Sequence, residues 1–340
     1  MERHIAVTPE TCLDPGIAIA ACRAKCTGIM DLGYHENEAA IRSAVHQLKS
    51  DAKSASRWGV RWSRALAGDN ALEFLAEALP IRVPILVLAG VGRDAALANL
   101  QSTEHGRPLI RRIAHWILAE VYDVDDALAA QAAGCNGVIL KGSEAGGWTS
   151  RQSSFILCQE VRKQLRIPYW IQGGIGLRSA PVAKMLGATG VVLGEQLWLA
   201  DESPLRHCAE AALWGHLDGT ETVLLGPPEA AFRVYERSGR QRIAQLQQAV
   251  LKNENWRQML TEQLQAHEDP LIPMAQDIAL AGTLAQRHCT VGRILSAIDA
   301  NIGPAIEQAH SHAALSAKST LAQAHGTRYP IVQGPMTRVS

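Results

Sequence analysis

Short runs of apolar, often β-branched residues recur along the first two hundred positions, separated by alanine-rich or amphipathic stretches of helix length. His4–Thr8, Gly28–Leu32, Trp58–Trp62, Val83–Leu88, His115–Val121, Gly137–Leu140, Pro168–Gln172 and Gly190–Leu193 read as strands. Most are apolar along their whole length, as strands covered on both faces are. Between them, Gly16–Ala24 and Val124–Ala133 are the clearest helices, the second with a face of small residues. Regular strand–helix alternation predicts a parallel α/β fold, and eight such units are the number that closes a (β/α)8 TIM barrel. An open, doubly wound sheet is the runner-up. It would favour a glycine-rich turn after the first strand, and MERHIAVTPETCLDPG has no such fingerprint.

After about residue 212 the pattern changes. Gln241–Gln265 carries Ile243, Leu246, Val250, Met259, Leu260 and Leu264 at mostly helical spacing, and Pro270 and Pro273 end it. A second helical region runs from Met274 to about Ile298. Ala309–Thr327 is rich in alanine and serine and reads as a tether. Tyr329–Ser340, YPIVQGPMTRVS, reads as one more strand running into a Gly-Pro loop. The expected division is a barrel over 1–212, a helical extension over 213–308, a linker over 309–327 and a strand over 328–340.

Charge narrows the function. Lys+Arg and Asp+Glu number 33 each, so no basic field invites nucleic acid, and any phosphate must be held by local geometry. No apolar run is long enough to span a membrane, and the first residues lack the apolar core of a signal peptide. The seven cysteines are scattered without the paired spacing of a zinc site, which predicts reduced thiols and a cytoplasmic location. Cys22 and Cys26, one helical turn apart, read as helix packing, and His310 and His312 as a solvated pair; no metal site is expected.

Candidate chemistry concentrates between Cys135 and Glu195. GCNGVILKGSEAGGWTS (Gly134–Ser150), IPYWIQGGIG (Ile167–Gly176) and GATGVVLGE (Gly187–Glu195) each run from a short strand into glycines. Such a loop lets backbone approach a ligand, and in a barrel the loops after strands seven and eight are a phosphate site. Gly173, Gly174 and Gly194 are the candidates to aim N–H groups at a dianion; the plain alternative is three tight turns. GVGRD at Gly90–Asp94 lacks the full dinucleotide pattern and reads as a turn.

KGSEAGGW (Lys141–Trp148), the Gly173–Gly174 pair, Gly194–Glu195 and the terminal QGPM together resemble the nitronate monooxygenase (2-nitropropane dioxygenase-like) family of FMN-dependent barrels. That family is itself similar to the flavin-type enoyl-acyl carrier protein reductases. The resemblance covers residues 4–205 and is firm from Ala119 onward. More narrowly, the arrangement looks like the N-terminal region of large polyketide-synthase-like proteins, with 328–340 as the first strand of a second, truncated barrel. It implies FMN bound by Lys141, Gly146, Gly147, Gly173, Gly174, Gly194 and Glu195, and oxidation of a small nitronate-like substrate by dioxygen. The alternative enzyme is an enoyl reductase that uses NAD(P)H on an acyl chain. Either would have other domains of a polyketide-synthase-like protein as partners.

Several positions depart from the family. Trp148 stands where the family has its catalytic histidine, and an indole cannot accept a proton near neutral pH, so no catalytic residue is assigned. The indole could stack on a ring or an acyl chain, or plug the mouth. Lys141 replaces glutamine and could pair with flavin or phosphate, or simply line the mouth. Glu195 replaces threonine and would repel a phosphate unless it turned away or met an arginine. Thr8–Glu10 read TPE in place of GPM, and Arg61 replaces asparagine. These departures favour a further reading, a catalytically decayed barrel with a structural or docking role.

Overall fold

A computed structural model describes residues 4–33, 37–54, 56–62, 71–79, 81–90, 103–104, 107–227, 230–236, 240–253, 255–266 and 268–332. Each of the eight apolar runs forms a strand: β1 (His4–Val7), β2 (Thr27–Asp31), β3 (Trp58–Trp62), β4 (Val83–Leu88), β5 (Ala114–Val121), β6 (Gly137–Lys141), β7 (Tyr169–Gln172) and β8 (Gly190–Leu193). They pair in parallel in chain order, and β8 returns to β1 with Ile5 opposite Val192, closing a barrel.

Alternation along the strands splits the core in two. Ile5, Val7, Ile29, Ile85, Val87, Leu118, Ile139, Trp170 and Val192 pack together inside the barrel. The intervening residues, among them Ala6, Met30, Val60, Leu86, Leu140 and Ile171, belong to the larger core beneath the surrounding helices. A strand walled on both faces has no room for polar alternation, hence the continuous apolar runs. The same period of two fixes the mouth. Asp31, Arg61, Glu120, Lys141 and Gln172 each sit two residues after an inward position, so they point inward at the C-terminal end of the barrel.

The segment after β8 differs from the expected helical extension. Thr222–Leu225 and Ala231–Tyr235 are antiparallel strands, and the second also pairs with Gly147–Thr149 from the loop after β6, Phe232 opposite Trp148. With the helices Arg240–Lys252 and Trp256–Leu264 they enclose a separate core of Trp148, Leu225, Phe232, Val234, Ile243, Val250, Trp256, Leu260 and Leu271.

The barrel also does not end at residue 212. The helix Val291–His312 packs on the Gly16–Arg23 and Ser179–Met185 helices and buries Val291, Ile294, Leu295, Ile298 and Ile302 against the barrel core. It is the eighth barrel helix, and residues 196–290 form an insertion ahead of it. The stretch expected as a tether continues this helix to His312 and adds a short helix, Thr320–Ala324, capped by Ser319. Tyr329–Val332 form no strand; 333–340, like most of Gly90–Asp94, lie outside the described residues. Among the described residues, no helix is long and apolar enough to cross a membrane.

Candidate functional site

The mouth of the barrel is filled by charge. Arg61 lies at its centre, with Nε donating to Glu120 Oε1 at 2.7 Å and Nη2 to Glu120 Oε2 at 2.9 Å. Its Nη1 also bonds Asp31 and lies 3.6 Å from Glu10 Oε1. Lys141 reaches in from β6, 3.3 Å from Glu120 Oε2, and donates to the Gly146 carbonyl at 2.9 Å. Asp31 in turn accepts from the Gly33 amide at 2.7 Å. All of these side chains are buried or nearly so.

The network moves the titrations as its geometry requires. Burial would raise the Glu120 carboxyl, but Arg61 and Lys141 outweigh it and hold the group below the usual carboxylate range. Burial depresses the Arg61 guanidinium, yet Asp31, Glu120 and Glu10 more than compensate and keep it charged. Glu10 is the surplus anion. Burial is the main cause that pushes it up to about 7, with Arg61 pulling it down and Asp31 pushing it further up.

Beside this layer lie the glycine loops after β7 and β8. Gly173 and Gly174 have φ of 105° and 71°, the left-handed region that glycine enters without strain. The Gly174 amide donates to Asp277 Oδ1 at 2.8 Å. Gln196 Nε2 donates to Asp277 Oδ2 at 2.7 Å and to the Ile175 carbonyl at 3.0 Å, while its Oε1 accepts from the Gly194 amide at 2.9 Å. The Asp277 carboxyl, at the head of the Ile278–His288 helix, therefore sits between the two loops. Burial and then Glu195 push it well above the usual range, against the pull of the Ile175 and Gly174 amides.

Glu195 does not turn outward. It is buried, its Oε1 accepts from the Ala275 amide at 2.9 Å, and burial raises its carboxyl. A Cβ on Gly146 would overlap that same oxygen and would lie 2.8 Å from the Ala275 nitrogen.

Trp148 faces away from this chemistry. Its ring meets Phe232 at 5.0 Å and Trp256 at 5.4 Å, with the Arg257 guanidinium 4.9 Å from its centre. It is a core residue of the inserted segment, not a stacking platform or a plug of the mouth.

Among the described residues, the mouth holds a cavity of about 30 Å³, bordered in part by Glu10, Lys141, Gln172, Gly194, Glu195 and Trp198. A water molecule needs only ~10–15 Å³ on this measure, so the space is of solvent size. Gln172 Oε1 and Glu10 Oε1 are buried there without a hydrogen-bond partner, so ordered water would satisfy them.

Lys141, Gly146, Gly194 and Glu195 border the cavity, and Gly173 and Gly174 flank Asp277. Gly147 opens the strand that carries Trp148, beside Glu10, Pro273 and Phe232. Sequence reasoning singled out Arg61 and Glu10 only as departures and missed Asp31, Glu120, Gln172, Gln196 and Asp277. For the strand residues the signal was available: a polar residue in phase with the inward positions at a strand's C-terminal end.

These features define a closed (β/α)8 barrel with a glycine-turn nest after its last two strands and an insertion ahead of its eighth helix. The sequence profile of the nitronate monooxygenase family matches residues 111–296, and the chain belongs to that family. No curated protein matches it at a significant level. Among solved structures, FabK from Thermotoga maritima superposes with a TM-score of 0.71 at 20% identity, over 91% of this chain and 96% of that one. Nitroalkane oxidase from Streptomyces ansochromogenes gives 0.65 at 19%, over 89% and 96%. The enoyl reductase domain of MlnA, from the macrolactin biosynthesis cluster of Bacillus amyloliquefaciens, gives 0.57 at 12%, over 91% and 97%. At these identities the likeness is one of fold. Family membership supports a flavin-dependent oxidoreductase as the class.

The described residues do not fit a flavin. Ligand pockets for molecules of that size run to about 300–1,000 Å³. Among the described residues the mouth offers about 30 Å³, because Arg61, Lys141 and their carboxylates fill it. A phosphate in the nest would meet Asp277 and Glu195. Asp277 already takes the Gly174 amide that a phosphate would use.

Proposed function

We propose that this chain is a nitronate monooxygenase-family barrel that has filled its cofactor site with its own side chains and serves as a structural or docking module. The observation that carries this reading is the buried network of Arg61, Glu120, Asp31, Glu10 and Lys141 across the barrel mouth. The burial of Trp148 in the insertion core adds to it, since no proton acceptor stands in the family's histidine position. Partner domains of a polyketide-synthase-like protein are the setting in which such a module would act. The free cysteines, three of them buried, favour the reducing cytoplasm.

Colour decides the matter. Purified protein should show no flavin band at about 450 nm, and titration with FMN should bring neither quenching of the flavin fluorescence nor a thermal shift. A yellow preparation, or stoichiometric FMN uptake, would overturn the proposal.

One observation favours a second reading. Gly173 and Gly174 keep their left-handed geometry opposite Gly194, as an FMN phosphate would need. The protein would then oxidise a nitronate-like substrate with FMN and dioxygen, or reduce an acyl chain with NAD(P)H. Lacking a base at Trp148, it would turn over anionic nitronates and spare neutral nitroalkanes. Oxygen uptake measured against NAD(P)H consumption separates these two chemistries.

A further inference from the structure

The barrel helices Ser154–Val161 and Ser179–Met185 follow β6 and β7 and lie side by side on the flank below the mouth. The Tyr169 hydroxyl joins them, donating to the Leu186 carbonyl at 2.7 Å and lying 3.7 Å from Cys158 Sγ. The first helix turns Ser154, Leu157, Cys158 and Val161 inward, and the second Ala180, Pro181 and Ala183. Helical spacing then puts Phe155, Ile156, Val182 and Met185 on the outer side, where they are 39% to 51% exposed. Single apolar residues on a surface need no explanation, but four on one helix pair form a patch.

The charge around this patch is one-sided. From Ser153 to Gly194 the chain holds Arg162, Lys163, Arg166, Arg178 and Lys184 against the single acid Glu160, although the whole sequence balances at 33 of each sign. Other surface arginines meet carboxylates, Arg42 with Glu38 at 3.0 Å, and Arg206 and Arg242 with Asp201 and Asp269. Among the described residues, no carboxylate lies within ion-pair distance of these five cations. Glu160 is engaged by Gln152, whose Nε2 donates to its Oε1 at 3.3 Å.

We infer that this flank docks an acidic amphipathic helix of a partner protein, its apolar ridge seated on Phe155, Ile156, Val182 and Met185 and its carboxylates facing the five cations. The inference deepens the docking reading above and rests on it. An amphipathic helix laid along a groove is a recurrent mode of protein recognition. Apolar contact at the centre gives such an interface its hold, and the charged rim sets partner choice and encounter rate. A second copy of this chain is the wrong occupant. A two-fold interface lays a patch on itself, and here that would oppose cation to cation. Nucleic acid would meet the charges but offers no apolar ridge to Ile156, Val182 and Met185.

The probe is a fluorescein-labelled helical peptide with leucines at every third or fourth position and glutamates between, titrated with the full chain. Its anisotropy should rise to saturation, and affinity should fall about tenfold between ~0.05 and ~0.5 M salt. A peptide of the same composition with its leucines scattered should bind about tenfold more weakly, for want of an apolar face. Arg178→Glu combined with Lys184→Glu should weaken the first peptide by a similar factor, and Met185→Ser should weaken it too. Lys49→Glu, on the Glu38–Asp51 helix across the barrel, should change nothing. All these positions are exposed, so unfolding temperatures should stay within about two degrees of the parent.

Absence of saturable binding, equal binding of the scattered peptide, or binding undiminished by charge reversal would overturn the inference. Tighter binding to phosphatidylglycerol vesicles or to duplex DNA than to the peptide would overturn it as well. FMN uptake reports on the barrel mouth and this titration on the flank, so failure of one reading is told apart from failure of the other.

Discussion

Replacing Arg61 with methionine removes the cation that four strand ends share. The guanidinium holds Glu120 through two bonds of 2.7 and 2.9 Å, pairs with Asp31 and lies 3.6 Å from Glu10. Methionine keeps much of the volume, so cavity formation contributes little and the electrostatic loss dominates. Three buried carboxyls then lose their shared cation, and breaking a buried pair on one side costs about 3–5 kcal/mol. The orphaned carboxyls escape by taking up protons, so the folded variant should bind more protons than the parent. Its deficit should therefore be largest above pH 7 and shrink as the solution is acidified towards pH 5. Urea unfolding of parent and variant at both pH values measures this directly. Adding Glu120→Met to the variant should recover at least half of the deficit, since the double replacement leaves fewer stranded charges. A deficit under about 1 kcal/mol, or one equal at the two pH values, would refute the network as the closure of the mouth.

Glu10 supplies a pH test of its own. Its folded value of about 7 lies above the usual 4.5, so the folded state retains a proton that the unfolded state releases, and stability should fall as pH rises through that interval. Glu10→Gln should flatten the slope and gain about 2–3 kcal/mol at pH 8, read from urea midpoints. Trp148→His should lower stability by about 3 kcal/mol through loss of the contacts with Phe232 and Trp256, and should confer no nitroalkane oxidation. Gly282→Ala should loosen the insertion by about 1–3 kcal/mol, because the new methyl would overlap the Gly215 carbonyl; faster proteolysis confined to residues 196–290 would report it.

The barrel was legible because its strands are covered on both faces. Each reads as an apolar run with a sharp end, and the observed bounds differ from the expected ones by a residue or so. The eighth helix was not, because Val291–His312 has the same amphipathic period as the helices of the insertion before it. Periodicity tells which face is buried and not against what. The two strands of the insertion escaped notice for a related reason. Their strongest partner, Gly147–Thr149, is a three-residue strand whose glycine and tryptophan read as chemistry. Asp277 could not have been found this way at all. It lies 103 positions from Gly174, and only the docked insertion brings the two together.

A cofactor in such a barrel ties together the free ends of its strands, and a chain without one needs another tie. Here Asp31, Arg61, Glu120 and Lys141 join β2, β3, β5 and β6, and Glu10 brings in the loop after β1. The Gly90 amide donates to the Tyr122 hydroxyl at 2.8 Å and links the ends of β4 and β5. Gln196 and Asp277 close the circle at β7 and β8. Apolar filling of the same space could have been as stable, since buried ion pairs recover little more than their desolvation. It would not, however, have satisfied the Gly146 carbonyl or the Gly174 and Gly194 amides, which the loop geometry exposes to the interior whatever fills it. On the reading proposed above, the backbone of a cofactor loop outlasts the cofactor, and its polar groups dictate that the replacement be polar too. FMN added to the parent protein should then compete with partners already in place, and even millimolar FMN should leave the unfolding temperature where it was.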